Sequence, residues 1–226
     1  MSKLDLLRNV SLFTGLSDQE LQTLAESLHR RAFGKGTIVF DQGSTDATLY
    51  VIESGRVRIF LISEFGEEIS LQVYDPGQCF GEFAVLDGQP RSAGAVAMED
   101  IVTYTLHRGD FLRHLETCPH MAIRIIQVLT TRLRYTTRQM ENLAFLDVSG
   151  RVAAKLLELA DRYGVQKEGI EITLPLTQEE LATWVVVTRK SVSSVLTHFR
   201  DLGLIQVQRR RITILDPKAL KKKIIY

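Results

Sequence analysis

The sequence predicts an α+β fold: an N-terminal antiparallel β-roll (jelly roll) with flanking helices, one long helix, and a C-terminal winged helix-turn-helix. Short alternating apolar runs separated by glycines fill residues 32–105. An apolar stripe with heptad spacing follows, and two capped helices with a basic hairpin come last. We therefore expect a β-roll domain at 1–118, a dimerisation helix and hinge at 119–146, and a winged helix-turn-helix domain at 147–226.

Composition and charge limit the class of protein. The chain has 226 residues with no apolar run long enough to span a membrane, and no signal peptide, so we expect a cytoplasmic protein. Residues 1–146 carry 14 Lys and Arg against 18 Asp and Glu, whereas residues 147–226 carry 14 against 9. From Thr188 onward the count is 10 against 2. This asymmetry indicates a polyanionic partner at the C-terminal end, although Lys221–Lys223 alone could be a solvated tail.

The first 106 residues contain helical and then strand-like patterns. Ser17 and Glu20 have the spacing of a capping box, which predicts a helix after Ser17. Alternation of apolar and polar residues predicts the strands that follow. These strands are Thr37–Phe40, Thr48–Ile52, Val57–Leu61, Ile69–Val73 and Val102–Leu106.

Residues 80–93 contain the most informative motif of the chain. Gly81 and Glu82 open a short predicted helical turn, and Arg91 and Ser92 follow its far end. Backbone N–H groups at a helix start attract phosphate, arginine pairs with anions through two N–H groups, and serine adds a hydroxyl donor. Glu82 would repel a phosphate but suits a sugar hydroxyl. The motif therefore indicates a nucleotide site, the alternative being a surface turn with an Arg–Glu ion pair.

This motif resembles the phosphate-binding cassette of bacterial cyclic-AMP receptor proteins. The resemblance implies that the Gly-Glu pair holds the ribose and the Arg-Ser pair holds the cyclic phosphate. Cyclic AMP is thus the expected allosteric ligand, with cyclic GMP left open. The expected ligand-binding residues of the segment are Gly81, Glu82, Phe83, Ala84, Arg91, Ser92 and Ala93.

A long helix is predicted to begin near Pro119. It carries residues spaced 3, 4, 3, 4, 3, as in a two-helix coiled coil, which favours a homodimer over a helix packed on its own roll. These residues are Ile126, Leu129, Leu133, Thr136, Met140 and Leu143. In the cyclic-AMP receptor proteins, two small hydroxyl residues at this point contact the adenine. The resemblance assigns that role to Thr136 and Thr137, although Thr136 could instead set the helix register or bond its own backbone.

The C-terminal part is predicted to begin with a hinge and to continue as a helix-turn-helix. Asp147 is a predicted N-cap of a helix that stops near Gly164. Thr177 and Glu180 form a second capping box, and Thr188 can cap a helix with an apolar face. That face consists of Val192, Val195, Leu196 and Phe199. The second helix would enter the major groove of double-stranded DNA.

Candidate DNA contacts lie on the opposite face and in a basic hairpin. Arg189 is the best candidate for reading guanine. The hairpin would pair Leu204–Val207 with Ile212–Leu215 around a turn at 208–211, with arginines suited to phosphates; a solvated turn is the alternative. The expected DNA-binding residues are Thr177, Gln178, Thr188, Arg189, Lys190, Ser193, Ser194, Arg209, Arg210 and Arg211.

The helix-turn-helix departs from the cyclic-AMP receptor pattern at three positions. Val186 stands where a glycine is usual, and a positive φ there would cost on the order of 1–2 kcal/mol. Lys190 stands where the best-known members carry Glu, and Ser194 where they carry Arg. The preferred DNA sequence is therefore expected to differ from theirs.

Across nearly its whole length the chain resembles the cyclic-AMP receptor and fumarate-nitrate regulator family. The resemblance implies a homodimeric transcription regulator, not an enzyme, that is controlled by cyclic AMP and contacts RNA polymerase. Other signals remain alternatives. Cys79 and Cys118 are too few for an iron–sulfur cluster but leave redox sensing open. Candidate haem ligands without a diagnostic context are His29, His107, His114 and His120.

Further alternatives are DNA binding without any ligand and a module that acts through protein partners. A metal-dependent jelly-roll enzyme is the alternative from a different class. Enzymes of that kind place several histidines on barrel strands, and the segment 32–106 contains none. No metal site is therefore predicted.

Overall fold

A computed structural model describes residues 2–224. The chain divides into two compact units, residues 1–133 and 134–226, and the division falls within the longest helix. Among the described residues, no helix is both long and apolar enough to cross a membrane. The helices are α1 (Lys3–Asn9), α2 (Asp18–Glu26), α3 (Glu82–Asp87), α4 (Arg108–Thr117), α5 (Pro119–Phe145), α6 (Val148–Tyr163), α7 (Gln178–Val185), α8 (Arg189–Asp201) and α9 (Pro217–Lys221).

Antiparallel strands form two sheets in the first unit and one in the second. The strands are β1 (His29–Phe33), β2 (Ile38–Phe40), β3 (Thr48–Ser54), β4 (Val57–Ile62), β5 (Glu68–Tyr74), β6 (Cys79–Phe80), β7 (Gly94–Ala97), β8 (Ile101–His107), β9 (Gly164–Gln166), β10 (Ile170–Ile172), β11 (Ile205–Gln208) and β12 (Arg211–Ile214). The sheet orders are β1-β8-β3-β6, β2-β7-β4-β5 and β11-β12-β10-β9. The first two sheets make the predicted β-roll, and its fold class is confirmed.

The five predicted strands are present as β2, β3, β4, β5 and β8. The short strands β9 and β10 of the second unit were not predicted, and three strands of the roll were missed because they lack an alternating apolar pattern. Strand β1 is mostly exposed and polar, β6 has two residues, and β7 consists of small residues. Each of these strands pairs with a segment that is distant in sequence. In β1, for example, Phe33 pairs with Ile101 of β8.

Two apolar clusters support the roll. One lies inside it and includes Phe40, Tyr50, Tyr74 and Phe80, with the rings of Tyr50 and Phe80 stacked at 5.0 Å between centroids. The other joins β3 and β8 to α1, α2, α4 and the start of α5. The predicted capping box at Ser17 is present: its hydroxyl accepts from the Glu20 backbone N–H.

The second unit contains the predicted helix-turn-helix with a small sheet. Asp147 caps α6 by accepting from the Gly150 N–H at 2.7 Å, and α6 ends at Tyr163, as predicted. The hairpin strands are each offset by one residue from their predicted bounds. Gln208 pairs with Arg211, so only Arg209 and Arg210 form the turn. The broader basic turn predicted at 208–211 was wrong, because its end residues complete the β ladder.

Candidate nucleotide site and DNA-binding surface

Gly81 begins the candidate nucleotide site between β6 and α3. Its φ is +83°, in the left-handed region that glycine adopts without strain. A Cβ at this position would lie 2.6 Å from Nη1 of Arg91 and 2.9 Å from the backbone oxygen of Thr48. The close approach of three chain segments therefore requires glycine here, which gives the sequence motif a structural reason.

Arg91 is held inside the roll rather than on its surface. The residue is only 4% exposed, and its guanidinium lies 4.0 Å from the centre of the Phe40 ring. Nη1 donates to the Gly81 backbone oxygen at 2.7 Å, and Nη2 donates to the Thr48 backbone oxygen at 2.7 Å and to the Asp46 carboxylate at 2.6 Å. These contacts fix the guanidinium next to the glycine turn.

One of the three guanidinium nitrogens of Arg91 makes none of these hydrogen bonds. Within the part of the chain that the structure describes, its buried Nε–H has no hydrogen-bond partner. A buried unpaired donor costs about 1–3 kcal/mol. An anion that reached it would remove that cost, so the residues present fit a phosphate-bearing ligand. The alternative of a simple surface turn with an Arg91–Glu82 ion pair is not what the structure contains, because each residue has a different partner.

Glu82 pairs with Arg132 of α5 instead. Glu82 is 5% exposed, and its Oε1 contacts Nη1 of Arg132. Arg132 also donates to the Cys79 backbone oxygen at 2.6 Å and lies over the Tyr74 ring. Burial lowers the pKa of Arg132, but the Glu82 carboxylate outweighs it and the net pKa is above its usual value.

Arg132 is a functional candidate that the sequence reasoning missed. In the sequence it stands between Leu129 and Leu133 of the heptad stripe, and nothing there marks it as a site residue. Its partner Glu82 is 50 residues away in sequence, so no local pattern could reveal the pair. This ion pair connects helix α5 to Glu82, whose carboxylate is the one assigned to a sugar hydroxyl.

The remaining cassette residues differ in their exposure. Ser92 and Phe83 are exposed, whereas Ala84 and Ala93 are buried. Ser92 directly follows the fixed Arg91, so its hydroxyl lies at the surface of the same segment.

Helix α5 exposes most of the predicted heptad stripe. Ile126, Leu133 and Met140 are each 63–67% exposed. Leu129 is the exception, because it packs against the apolar cluster beneath the roll. An exposed row of large apolar side chains is typical of a surface that contacts a protein partner.

The two predicted adenine contacts lie on the same helix. Thr136 and Thr137 are both exposed, and both belong to the second unit, whereas the cassette belongs to the first. Thr136 occupies a position of the heptad stripe. Their role toward a base stays a prediction.

The predicted recognition helix is α8. Thr188 is its N-cap and accepts from the Ser191 N–H at 3.2 Å. Val192, Leu196 and Phe199 are buried, while Arg189, Lys190 and Ser194 are exposed and Ser193 and Val195 are half-buried. Thr177 caps α7, and its hydroxyl donates to Glu180, with Gln178 as the first residue of that helix. One face of α8 is therefore available to a DNA groove.

The turn between α7 and α8 contains the strained valine that the sequence suggested. Val186 has φ +54° and ψ +58°, which costs a β-branched residue on the order of 1–2 kcal/mol. Arg151 of α6 donates to the backbone oxygen of Val185 at 3.0 Å. This contact satisfies one carbonyl at the end of α7 and supports the strained turn.

The three arginines of the hairpin differ in their surroundings. Arg209 and Arg210 form the exposed turn, and Arg209 has φ +49°. Arg211 lies in β12 with Nη1 3.8 Å from the Glu171 carboxylate. All three side chains remain solvent-exposed and suited to phosphate contacts.

A buried lysine joins the end of α5 to the helix-turn-helix within the second unit. Lys155 is 4% exposed; its Nζ lies 2.9 Å from Glu158, 3.3 Å from the Tyr135 hydroxyl, and 4.0 Å from the centre of the Trp184 ring. Burial lowers its pKa below the usual value, against the opposing pull of Glu158. The ammonium group thus packs between three helices.

We expect Lys155→Met to flatten the pH dependence of stability of this unit. Between the lowered pKa of Lys155 in the folded chain and its higher pKa in the unfolded chain, the unfolded chain binds more protons. The contribution of Lys155 to the free energy of unfolding therefore rises with pH across this range. Trp184, the one tryptophan of the chain, reports unfolding by fluorescence in a urea titration. The wild-type free energy of unfolding should increase relative to the variant between neutral and alkaline pH. A constant difference between the two proteins would contradict this.

The cysteines proposed for redox sensing are poorly suited to it. Burial raises the pKa of the Cys79 thiol to about 12. Burial and a hydrogen bond from its Sγ to Glu20 raise the pKa of Cys118 to about 11. Because the thiolate is the reactive form, both thiols are held in the unreactive state at neutral pH.

The candidate haem ligands occupy ordinary structural positions. His107 Nδ1 is 3.3 Å from the Thr48 hydroxyl, and His114 Nε2 is 3.1 Å from the Ser27 hydroxyl. His29 lies beside His107, with 6.3 Å between ring centroids. His29, His107 and His114 thus have neighbours within the first unit.

Comparison with known proteins agrees with this geometry. Residues 30–118 match the model of the cyclic nucleotide-binding domain, and residues 150–223 match the Crp-like helix-turn-helix domain. A CRP-like cAMP-activated global transcriptional regulator of Mycobacterium tuberculosis is 31% identical over 220 residues, which cover 97% of this chain and 98% of the relative. A cyclic AMP receptor protein of Thermus thermophilus is 30% identical over 216 residues, 96% of this chain and 97% of the relative.

Solved structures share the fold. A CRP/FNR-family transcriptional regulator of Thermus thermophilus has a TM-score of 0.72 at 28% identity, covering 87% of this chain and 98% of that one. The c-di-GMP responsive regulator CLP of Xanthomonas campestris has a TM-score of 0.80 at 24% identity, covering 88% and 100%. The fold and these relatives define a DNA-binding transcription regulator with a cyclic nucleotide-binding domain.

The chain belongs to the CRP/FNR family. This confirms the resemblance drawn from the cassette and the helix-turn-helix. Members of the family are transcription regulators and not enzymes, which excludes the metal-dependent jelly-roll enzyme.

Proposed function

We propose that this regulator is a cytoplasmic homodimer whose binding to a pseudo-palindromic DNA site is controlled by cyclic AMP. The arrangement of Arg91 carries the proposal: a buried guanidinium, fixed beside the Gly81 turn, whose Nε–H has no partner within the described part of the chain. It provides an anion site next to the Glu82 carboxylate, which suits a ribose hydroxyl. A relative at 31% identity is described as cAMP-activated, which supports cyclic AMP over other nucleotides.

The Glu82–Arg132 contact offers a route from ligand to DNA. A ribose hydroxyl that donates to Glu82 would share that carboxylate with Arg132. It would thereby change the strength of the ion pair between Glu82 and α5. Thr136 and Thr137 would contact the adenine further along the helix. The resulting change in α5 would bias the hinge at Asp147 and set the two recognition helices about 34 Å apart. This requires the ligand to bind the DNA-competent state more tightly.

In the proposed complex, α8 lies in the major groove with Arg189 on guanine and Lys190, Ser193 and Ser194 beside it. The starts of α7 and α8, at Thr177, Gln178 and Thr188, approach phosphates, as do Arg209, Arg210 and Arg211. Contact with RNA polymerase is part of the proposal as a family property.

The test is a calorimetric titration of the purified protein with cyclic AMP and, in parallel, cyclic GMP. Saturable binding of one cyclic AMP per chain, tighter than cyclic GMP, is the expected result. A second step selects DNA from a random library with and without cyclic AMP. Enrichment of a two-fold symmetric site only with ligand supports the proposal. Absence of binding at millimolar nucleotide, or equal enrichment without it, would refute control by cyclic AMP.

Arg189→Ala should remove most of the sequence discrimination of α8. A bidentate arginine–guanine contact is worth roughly 1–3 kcal/mol. The proposed dimer loses one such contact in each half-site, so the affinity for the selected site should fall about thirtyfold or more. Affinity for unrelated DNA should change much less, since phosphate contacts remain. Arg200→Ala removes the same charge from the last turn of the same helix and serves as the control. An equal loss in both variants would point to a general charge effect.

A further inference from the structure

The arginine assigned to the ligand phosphate already has an anionic partner within the chain. Asp46 lies in the loop between β2 and β3, 45 residues before Arg91. Its Oδ2 accepts from Nη2 of Arg91 at 2.6 Å, the shortest of the three hydrogen bonds that the guanidinium makes in the described residues. The Asp46 carboxylate is therefore already paired with the positive charge of Arg91, which a ligand phosphate would also need.

Other contacts orient the Asp46 carboxylate. Its Oδ1 accepts from the Thr48 hydroxyl at 2.7 Å, and Oδ2 lies 3.5 Å from the Tyr50 hydroxyl. The side chain of Asp46 is 45% exposed, whereas that of Arg91 is 2% exposed. Burial raises the pKa of Asp46, but the Thr48 hydroxyl and the Arg91 guanidinium outweigh it, so the pKa lies below its usual value. The carboxylate is therefore ionised throughout the physiological range.

We infer that Asp46 is an internal counter-ion that competes with the ligand phosphate for Arg91 and thereby limits ligand affinity. The inference rests on the proposed function, because it names what opposes phosphate binding at that site. Before ligand arrives, the charges of Asp46 and Arg91 cancel. An incoming phosphate must either displace the carboxylate, which can turn toward solvent on its exposed side, or bind beside it against like-charge repulsion.

Contacts other than the one with Asp46 also hold the guanidinium. The backbone oxygens of Gly81 and Thr48 accept from Nη1 and Nη2, and the Phe40 ring packs against its face at 4.0 Å. Replacing Asp46 by the isosteric asparagine removes the negative charge and leaves these three contacts in place. The variant therefore tests charge competition rather than loss of the arginine.

We expect Asp46→Asn to bind cyclic AMP roughly tenfold more tightly than the wild type in a calorimetric titration, since a charge-assisted contact is released for the ligand. Asp41→Asn is the matched control. Asp41 is exposed and just past the end of β2, and its carboxylate is not among the partners of Arg91. Unchanged affinity in the control, with tighter binding in Asp46→Asn, supports competition. Equal or weaker binding in Asp46→Asn overturns it and would make Asp46 a neutral or positioning residue.

Adenosine separates the phosphate from the rest of the ligand. It carries the base and the sugar without the anion, so its affinity should be the same in wild type and Asp46→Asn. A parallel gain for adenosine would overturn the inference, because the gain would not involve the phosphate. Thermal unfolding of both variants checks that the roll is intact.

The same titrations keep the two proposals distinguishable. If the wild type binds cyclic AMP and Asp46→Asn binds it no better, the counter-ion role fails while the nucleotide site stands. If neither protein binds any cyclic nucleotide, both fail. Binding that is seen only in Asp46→Asn supports the counter-ion role and refutes cyclic AMP as the effector of the wild-type protein.

Discussion

Arg91→Leu is expected to weaken cyclic AMP binding at least a hundredfold. The substitution removes charge-assisted hydrogen bonds to the phosphate, each worth roughly 1.5–3 kcal/mol. It also leaves the Asp46 carboxylate without its cation, next to the place where a second negative charge must bind. The loss of attraction and the new repulsion act in the same direction. Calorimetric titration of purified protein with cyclic AMP measures the effect.

The same substitution should destabilise the roll. The backbone oxygens of Gly81 and Thr48 lose the guanidinium donors that satisfy them, at about 1–3 kcal/mol for each buried acceptor left unpaired. Arg91→Lys keeps the charge without the two-pronged geometry and should bind with intermediate affinity. Arg113→Leu, which removes a largely exposed arginine of α4, is the control and should change neither property. Undiminished cyclic AMP affinity in Arg91→Leu would refute the assigned site.

The features that the sequence predicted well are those set by residues close in the chain. Capping boxes at Ser17 and Thr177 and the N-caps at Asp147 and Thr188 join residues three apart, and all four form. The strained turn at Val186 followed from the family resemblance, because a glycine is usual at this position and valine disfavours a positive φ. Helix starts and turns depend on residues close together in the chain, so a single sequence is enough to predict them.

The partners of the cassette could not be predicted in that way. The charge of Glu82 predicts that it does not bind phosphate, but nothing in the sequence marked Arg132 as its partner. Asp46 carried no signal at all. Both contacts arise when the roll closes and brings distant segments together, and strand β1, which is polar, forms for the same reason. The residue types therefore predicted which kinds of partner these side chains could bind. The fold determined which residues they contact within the chain.

Met140→Glu is expected to dissociate the proposed dimer. Met140 is 65% exposed in the single chain and lies in the heptad stripe with Ile126 and Leu133, so a glutamate there leaves the fold of one chain intact. In a two-helix seam it would bury a charge from each subunit beside the other. That costs about 3 kcal/mol or more, which weakens association at least a hundredfold. Sedimentation across a range of protein concentrations should show monomer where the wild type is dimeric.

Loss of the dimer should in turn abolish binding to a two-fold symmetric DNA site, because one recognition helix engages only one half-site. Thr131→Glu provides the control: it adds the same charge to the same helix at an exposed position outside the heptad stripe. That variant should remain dimeric and bind DNA as the wild type does. If Met140→Glu also remained dimeric, the exposed stripe of α5 would not be the interface between subunits, and the path from ligand to recognition helices would have to run within one chain.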